Sequence, residues 1–159
     1  MLDVAERKLC YILYAHRNYY TEFNISKRPG ASRLIQAPHR GLKVIQQKLV
    51  QVLTAVYAAK TAVHGFSKDK DILSNAFEHL DKRFVFNVDI LDFFPSINFG
   101  RVRGLFMGIP YKRNPEVSTV LAQICCYKNA LPQGAPTSPI VSYDLRQARL
   151  NSVRSRPNQ

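Results

Sequence analysis

Two short segments hold the residues whose types and spacing could do chemistry. The first is Phe86-Asn87-Val88-Asp89-Ile90-Leu91-Asp92-Phe93-Phe94-Pro95-Ser96-Ile97. From Arg83 to Asp92 the pattern alternates, with Phe84, Phe86, Val88 and Ile90 on one face of a predicted strand and Val85, Asn87, Asp89 and Leu91 on the other. Asp89 therefore falls on a strand otherwise fit for burial, where a carboxylate is costly unless something compensates it. A divalent cation is a common compensation. A cap on the following turn, or a neighbouring arginine, would also compensate Asp89 or Asp92.

The second segment is Leu131-Pro132-Gln133-Gly134-Ala135-Pro136-Thr137-Ser138-Pro139. Gly134 stands between two prolines, which makes a rigid loop whose backbone can approach a ligand closely. A helix starting near Ser138-Pro139 would aim its positive end toward that loop. The plainer alternative is a proline-rich turn ahead of a helix. A third pair, Asn75 and His79, lies four residues apart on a short helix predicted over Ile72 to Leu80, so both side chains would share one face.

The elements that must position these residues are legible from periodicity. Leu2, Leu9, Ile12 and Leu13 predict a first helix reaching about Tyr20. The period then changes, and Asn24 to Lys27 and Arg33 to Gln36 read as two strands around Pro29-Gly30, a pair suited to the centre of a type II turn. This is a hairpin with a basic tip. Leu42, Ile45, Leu49, Leu53 and Val56 form the stripe of a further helix, which His64-Gly65-Phe66 follows. Asn114-Pro115-Glu116 is a helix start, and Val117, Val120, Leu121 and Ile124 are its predicted buried stripe.

At 159 residues with 46% hydrophobic content, the chain is the length of one domain and has enough apolar material for a core. It contains no run of about 18 apolar residues, and its first residues are charged where a signal peptide needs an apolar stretch, so a soluble cytoplasmic protein with no membrane partner is expected. Cys10, Cys125 and Cys126 offer neither a disulfide framework nor a zinc spacing, and read as reduced core thiols. The net charge of +12 is uneven: residues 1–50 and 101–159 each carry nine Lys/Arg against three and two acids, and they enclose an acidic middle. Basic flanks fit a polyanion, because phosphate neutralisation releases counterions.

Taken together, these segments resemble reverse transcriptases of the bacterial retron type. Asp89-Ile90-Leu91-Asp92-Phe93-Phe94 resembles the first catalytic motif of the palm, and Leu131 to Pro139 resembles the motif that positions template and incoming nucleotide. Lys27-Arg28-Pro29-Gly30-Ala31-Ser32-Arg33, continuing to Ile35 and Pro38, resembles the fingers motif, and His64-Gly65-Phe66 resembles the next block. Asn75-Ala76-Phe77-Glu78-His79 resembles the Asn-Ala-x-x-His signature of the retron branch.

The resemblance implies an α+β partial right-hand polymerase fold. Residues 1–82 would be the N-terminal helix, fingers hairpin and connecting helices; residues 83–142 would be a partial palm with an incomplete sheet. An exposed sheet edge would favour self-association. It further implies that Asp89 and the carbonyl of Ile90 hold catalytic Mg2+, two ions serving the complete enzyme. Lys27 and Arg33 would clamp the triphosphate, with Asp92 near it. Phe94 would crowd a ribose 2′-hydroxyl, Gln133 and Gly134 would face the nucleotide, and Asn75 and His79 would bind the cognate structured RNA. Such an enzyme copies RNA into DNA from deoxynucleotides, priming from its own structured RNA, in anti-phage defence with an effector partner of unknown kind.

The sequence departs from that pattern near its end. Two-metal phosphoryl transfer places its ions about 3.5 to 4 Å apart, and the family supplies further carboxylates from a Tyr-x-Asp-Asp hairpin that nothing here matches; Tyr143-Asp144 lacks the second acid. Residues 143–159 are rich in Arg, Asn and Ser and read as a non-native tail after a truncation, which predicts a chain that binds nucleic acid without extending a primer. The rival expectation is a non-catalytic nucleic-acid-binding protein, using its basic flanks together with eight Tyr and nine Phe rings.

Overall fold

The computed structural model describes Arg7, Leu9, His64 and residues 19–26, 32–56 and 70–154, the stretch 146–154 as helical backbone alone. The first helix beyond Arg7 and Leu9, the Pro29-Gly30 turn and Cys10 lie outside the described residues. Tyr20, about where the first helix was expected to end, is already in a strand.

A hairpin pairs β1, Tyr20–Ser26, with β2, Ser32–Pro38, antiparallel from Tyr20 opposite Pro38 to Ser26 opposite Ser32. Both strands are longer than predicted, because pairing extends as far as partners face each other. Phe23, Ile25 and Leu34, in the half of the hairpin nearer Ser26 and Ser32, stay about half exposed. Helix α1, Arg40–Val56, follows at once and buries Leu42, Ile45, Leu49 and Leu53 along the expected stripe. Val56 is 46% exposed and does not belong to that face; Gln46, at helical spacing from both Leu42 and Leu53, takes an inner position instead.

Helix α2 spans only Ile72–Phe77. Asp71 caps it with a box: the Asp71 carboxylate accepts from the Ser74 amide at 2.7 Å and the Ser74 hydroxyl accepts from the Asp71 amide at 3.0 Å. His79 falls in the turn after the helix, so it and Asn75 do not share a continuous helical face.

Residues 83–92 overturn the strand expectation. They pair with no strand and run into a turn at Leu91-Asp92, and every one is exposed, with Phe84 83%, Phe86 90% and Leu91 88% accessible. The physical reason is that a strand satisfies its amides and carbonyls only through a neighbour. Among the described residues the one sheet is the β1–β2 hairpin, so no palm sheet is present there.

The core gathers instead on α1 and three further helices: α3, Phe99–Met107; α4, Pro115–Cys125; and α5, Thr137–Arg154. Asn98 and Asn114 cap α3 and α4 through their side-chain oxygens, and Pro115 takes the first position of α4 as predicted. The buried stripe of α4 is Ser118, Ala122, Ile124 and Cys125, rotated from the predicted one, and Val117 is 43% exposed. Val102, Phe106, Ile124, Cys125, Leu131 and Val141 are wholly inaccessible; truncating Phe106 to Ala would cost about 3–5 kcal/mol. Cys125 is a free buried thiol whose ionisation burial opposes. Helix α5 runs without a break through the segment read as atypical, as far as Arg154. Among the described residues no helix is long and apolar enough to cross a membrane.

Candidate functional site

The two chemistry-bearing segments are stitched together at their flanks. Beyond the Asp89 segment, the Ile97 carbonyl accepts from the Leu131 amide at 3.0 Å and the Phe99 amide donates to the Asn129 carbonyl at 3.0 Å. Those partners immediately precede Pro132 and Gln133. Between α4 and this loop, Tyr127 and Ala130 exchange both backbone hydrogen bonds around Lys128 and Asn129, whose φ values of 48° and 65° make a tight turn matched to strand twist.

The hairpin docks on the same place. The Gln36 amide on β2 donates to the Gln133 carbonyl at 2.8 Å. Gly134 sits at φ 131°, and a Cβ there would stand 2.9 Å from the Gln36 carbonyl oxygen and 3.0 Å from Ile35 Cγ2. Glycine is thus required both by conformation and by the closeness of β2. Arg33 alternates with Ile35 and Ala37 on one face of β2. It is exposed and shares the face whose Ile35 abuts Gly134.

Three further contacts hold the hairpin down. Lys128 bonds both Glu22 carboxylate oxygens at 2.9 Å, and Gln36 Nε2 donates to Glu22 Oε1 at 2.9 Å. The Lys128 bond, and after it the Gln36 bond, holds the Glu22 carboxyl below its ordinary range. The Tyr20 ring stacks on Tyr127 with centroids 4.4 Å apart. Gln46, wholly buried on α1, donates through Nε2 to the Tyr20 hydroxyl and to the Ile124 carbonyl, each at 2.8 Å. None of these partners had a signature in the sequence: Glu22 and Lys128 are 106 residues apart and Gln46 and Ile124 78. Glu22 lies ahead of the strand predicted from Asn24, and its partner comes from another part of the fold.

Of the residues expected to act, Asp89 is exposed and its Oδ1 accepts from the Ile90 amide at 2.9 Å. Among the described residues neither Asp89 nor Asp92 forms an ion pair, so the arginine alternative is not realised there. Asp92 is exposed at φ 48°, a left-handed conformation that Asp tolerates better than most side chains, and its carbonyl accepts from the Ser96 amide at 2.9 Å to close the turn. Phe94 is half-buried, tilted against Phe93 with centroids 5.4 Å apart, and both rings rest on the core. Gln133 is half-buried and Gly134 exposed. Asn75 and His79 are exposed on the separate short α2 region, whereas His64 meets Ser74 Oγ at 3.0 Å. Lys27 lies outside the described residues.

The site thus brings together β2 with Arg33, the Gln133-Gly134 loop, and the flank of the Asp89 turn. As a metal centre it is incomplete: among the described residues no three His, Cys, Asp or Glu side chains form a group that could hold an ion. Asp89 offers one solvent-facing carboxylate, which fits a single ligand of a cation and not a two-ion centre. Asp144, the acid nearest the end of the chain, is buried under Tyr111.

No protein-family model matches the chain. Individual relatives do. It is 36% identical over 138 residues to the retron Ec86 reverse transcriptase of Escherichia coli, an alignment covering 86% of this chain and 42% of that protein. The retron Mx65 reverse transcriptase of Myxococcus xanthus is 34% identical over 137 residues, covering 76% of this chain and 32% of its own length. The retron Mx162 reverse transcriptase of the same organism is 33% identical over 137 residues, with 76% and 28% covered. The alignments take in most of this chain and well under half of each relative. By sequence, this chain therefore belongs to the retron reverse transcriptase family, over a stretch less than half its relatives' length.

Proposed function

We propose that this chain forms the nucleotide-gripping part of a right-hand RNA-directed DNA polymerase, with β1–β2 as its fingers hairpin and α3 to α5 as the helical part of a palm. The observation that carries the reading is the junction of Gln36 with Gln133 beside Gly134. It sets the strand face that carries exposed Arg33 against a glycine whose missing side chain lets β2 come this close. In this reading Arg33, with Lys27, pairs with the triphosphate of a deoxynucleotide through charge-assisted hydrogen bonds. Asp92 lies near that triphosphate, Gln133 and Gly134 line the base and sugar, and Phe94 excludes a ribose 2′-hydroxyl.

Asp89 and the Ile90 carbonyl would give one end of a Mg2+ site, the ion neutralising phosphate charge when bound. The described residues do not group the further carboxylates that a two-ion centre needs. Asn75 and His79, exposed on a region apart from the junction, suit a structured-RNA contact. Copying of RNA, self-priming and a defence role with an effector protein are proposed on the relationship to the retron enzymes.

Binding measurements test the reading. A fluorescent deoxynucleotide titrated with Mg2+ into the protein should bind, Arg33→Gln should weaken that binding about tenfold, and Asp89→Asn should remove its Mg2+ dependence. Primer extension by this chain alone should give no product. Binding of RNA with no deoxynucleotide contact in any of these titrations would favour the non-catalytic binding protein instead.

A further inference from the structure

From Phe93 to Pro115 the chain carries four cations, Arg101, Arg103, Lys112 and Arg113, and no acid. Three of them gather at the corner between α3 and α4. Arg103 Nε donates to Thr119 Oγ1 at 2.9 Å, which lays that side chain from α3 across to α4. The chain leaves α3 and folds back on it: the Lys112 amide bonds the Gly108 carbonyl at 2.7 Å and the Arg113 amide the Phe106 carbonyl at 2.9 Å. Arg113 Nε donates to the Tyr111 carbonyl at 2.6 Å, and its own carbonyl accepts from Ser118 Oγ at 3.3 Å.

Arg103 thus reaches α4 at Thr119, while Arg113 stands just ahead of that helix with its backbone carbonyl held by Ser118, and Lys112 is exposed beside it. Each arginine is steadied through Nε, which leaves its two Nη nitrogens to face a ligand, and a steadied guanidinium loses little freedom when it grips a phosphate. Among the described residues the one ion pair is Lys128 with Glu22, so no acid neutralises this corner. Glu116 in the first turn of α4 makes no ion pair, and Asp144 beneath Tyr111 is buried.

We propose that Arg103, Lys112 and Arg113 form a second nucleic-acid contact that grips the phosphate backbone of a folded RNA. The inference rests on the RNA-handling reading above and adds a surface to it. Lys112 and Arg113 lie past the end of α3 remote from the Asp89 turn, a nine-residue helix about 13 Å long at 1.5 Å per residue, with Arg103 midway along it. RNA engaged at the junction of Gln36 and Gln133 can therefore be held at a separate point as well. A polyanion is favoured over a discrete acidic group because the cations lie in an acid-free run within a chain of net charge +12.

Fluorescence anisotropy of a labelled RNA hairpin with the full 159-residue protein tests this, read between roughly 50 and 200 mM salt. The variant R103Q/K112Q/R113Q should bind about 10- to 100-fold more weakly and flatten the log–log salt slope by about two to three. Lys112→Gln alone breaks no side-chain bond among the described residues and should flatten the slope by about one; it keeps the test decisive if the triple variant does not fold. Wild-type binding with both variants unchanged would overturn this proposal and leave the RNA reading standing. No wild-type binding would overturn both. Displacement of the RNA by polyglutamate as effectively as by unlabelled RNA would overturn it in favour of an acidic protein partner.

Discussion

Tyr111 donates its hydroxyl proton to the carboxylate of Asp144, tying the α3–α4 corner to the first half of α5. Burial pushes the Asp144 carboxyl from its ordinary 3.8 up to about 6, with the Tyr111 bond pulling the other way. Burial, and after it the Asp144 bond, moves the Tyr111 hydroxyl above its ordinary range.

That pair sets a pH dependence. The unfolded chain ionises Asp144 near 3.8 and the folded chain near 6, so its stabilising contribution is complete below 3.8 and lost as pH rises through 6. Asp144→Asn keeps an acceptor for Tyr111 and removes the buried charge. It should raise stability at neutral pH by about 1–2 kcal/mol, less than the full linkage value of about 3, and flatten the pH profile below it. Urea midpoints at acidic and neutral pH check this; a variant weaker than wild type at neutral pH would contradict it.

Gly134→Ala should cost about 1–3 kcal/mol, because the residue keeps φ 131° while its new methyl meets the Gln36 carbonyl. The strain should fall on the junction first. Amide hydrogen exchange at Gln36 should accelerate more than at core positions such as Phe106, and unchanged exchange there would mean that loop and hairpin are not coupled.

Gln46→Leu should cost about 1–3 kcal/mol in thermal or denaturant unfolding, since it leaves the Ile124 carbonyl without its donor in the core. The Tyr20 hydroxyl loses the same donor. Loss of the orphaned Gln46 Oε1 offsets part of this. A variant as stable as wild type would show that α1 and β1 are held by apolar packing alone.

Asp89→Asn should leave stability within about 0.5 kcal/mol, because the side chain is exposed and its one partner is the adjacent Ile90 amide. A melting temperature that falls clearly would assign Asp89 a structural part and weaken its proposed role as a cation ligand.

Much of the architecture could be read without coordinates. The stripe of α1, the Asn114-Pro115 start of α4 and the alternation on either side of Pro29-Gly30 all found their elements, because cap chemistry and periodicity act within a few residues. The Asp89 and Gln133 segments stand out in the sequence for the same reason: a carboxylate in an apolar run and a glycine between prolines are local anomalies.

The failures share the opposite cause. Residues 83–92 have the period of a strand, yet a strand exists only with a neighbour, and the described fold supplies none. The stripe of α4 was rotated because the inner face depends on what α3 and α5 present, which is how Ser118 came inside and Val117 stayed out. Sequence alone determined the residue chemistry and the elements built from near neighbours. Tertiary structure decided that Gln36 meets Gln133, that Glu22 meets Lys128 and that Asp144 is covered by Tyr111. Each of those contacts depends on the distance-spanning packing of whole helices, which no local pattern encodes.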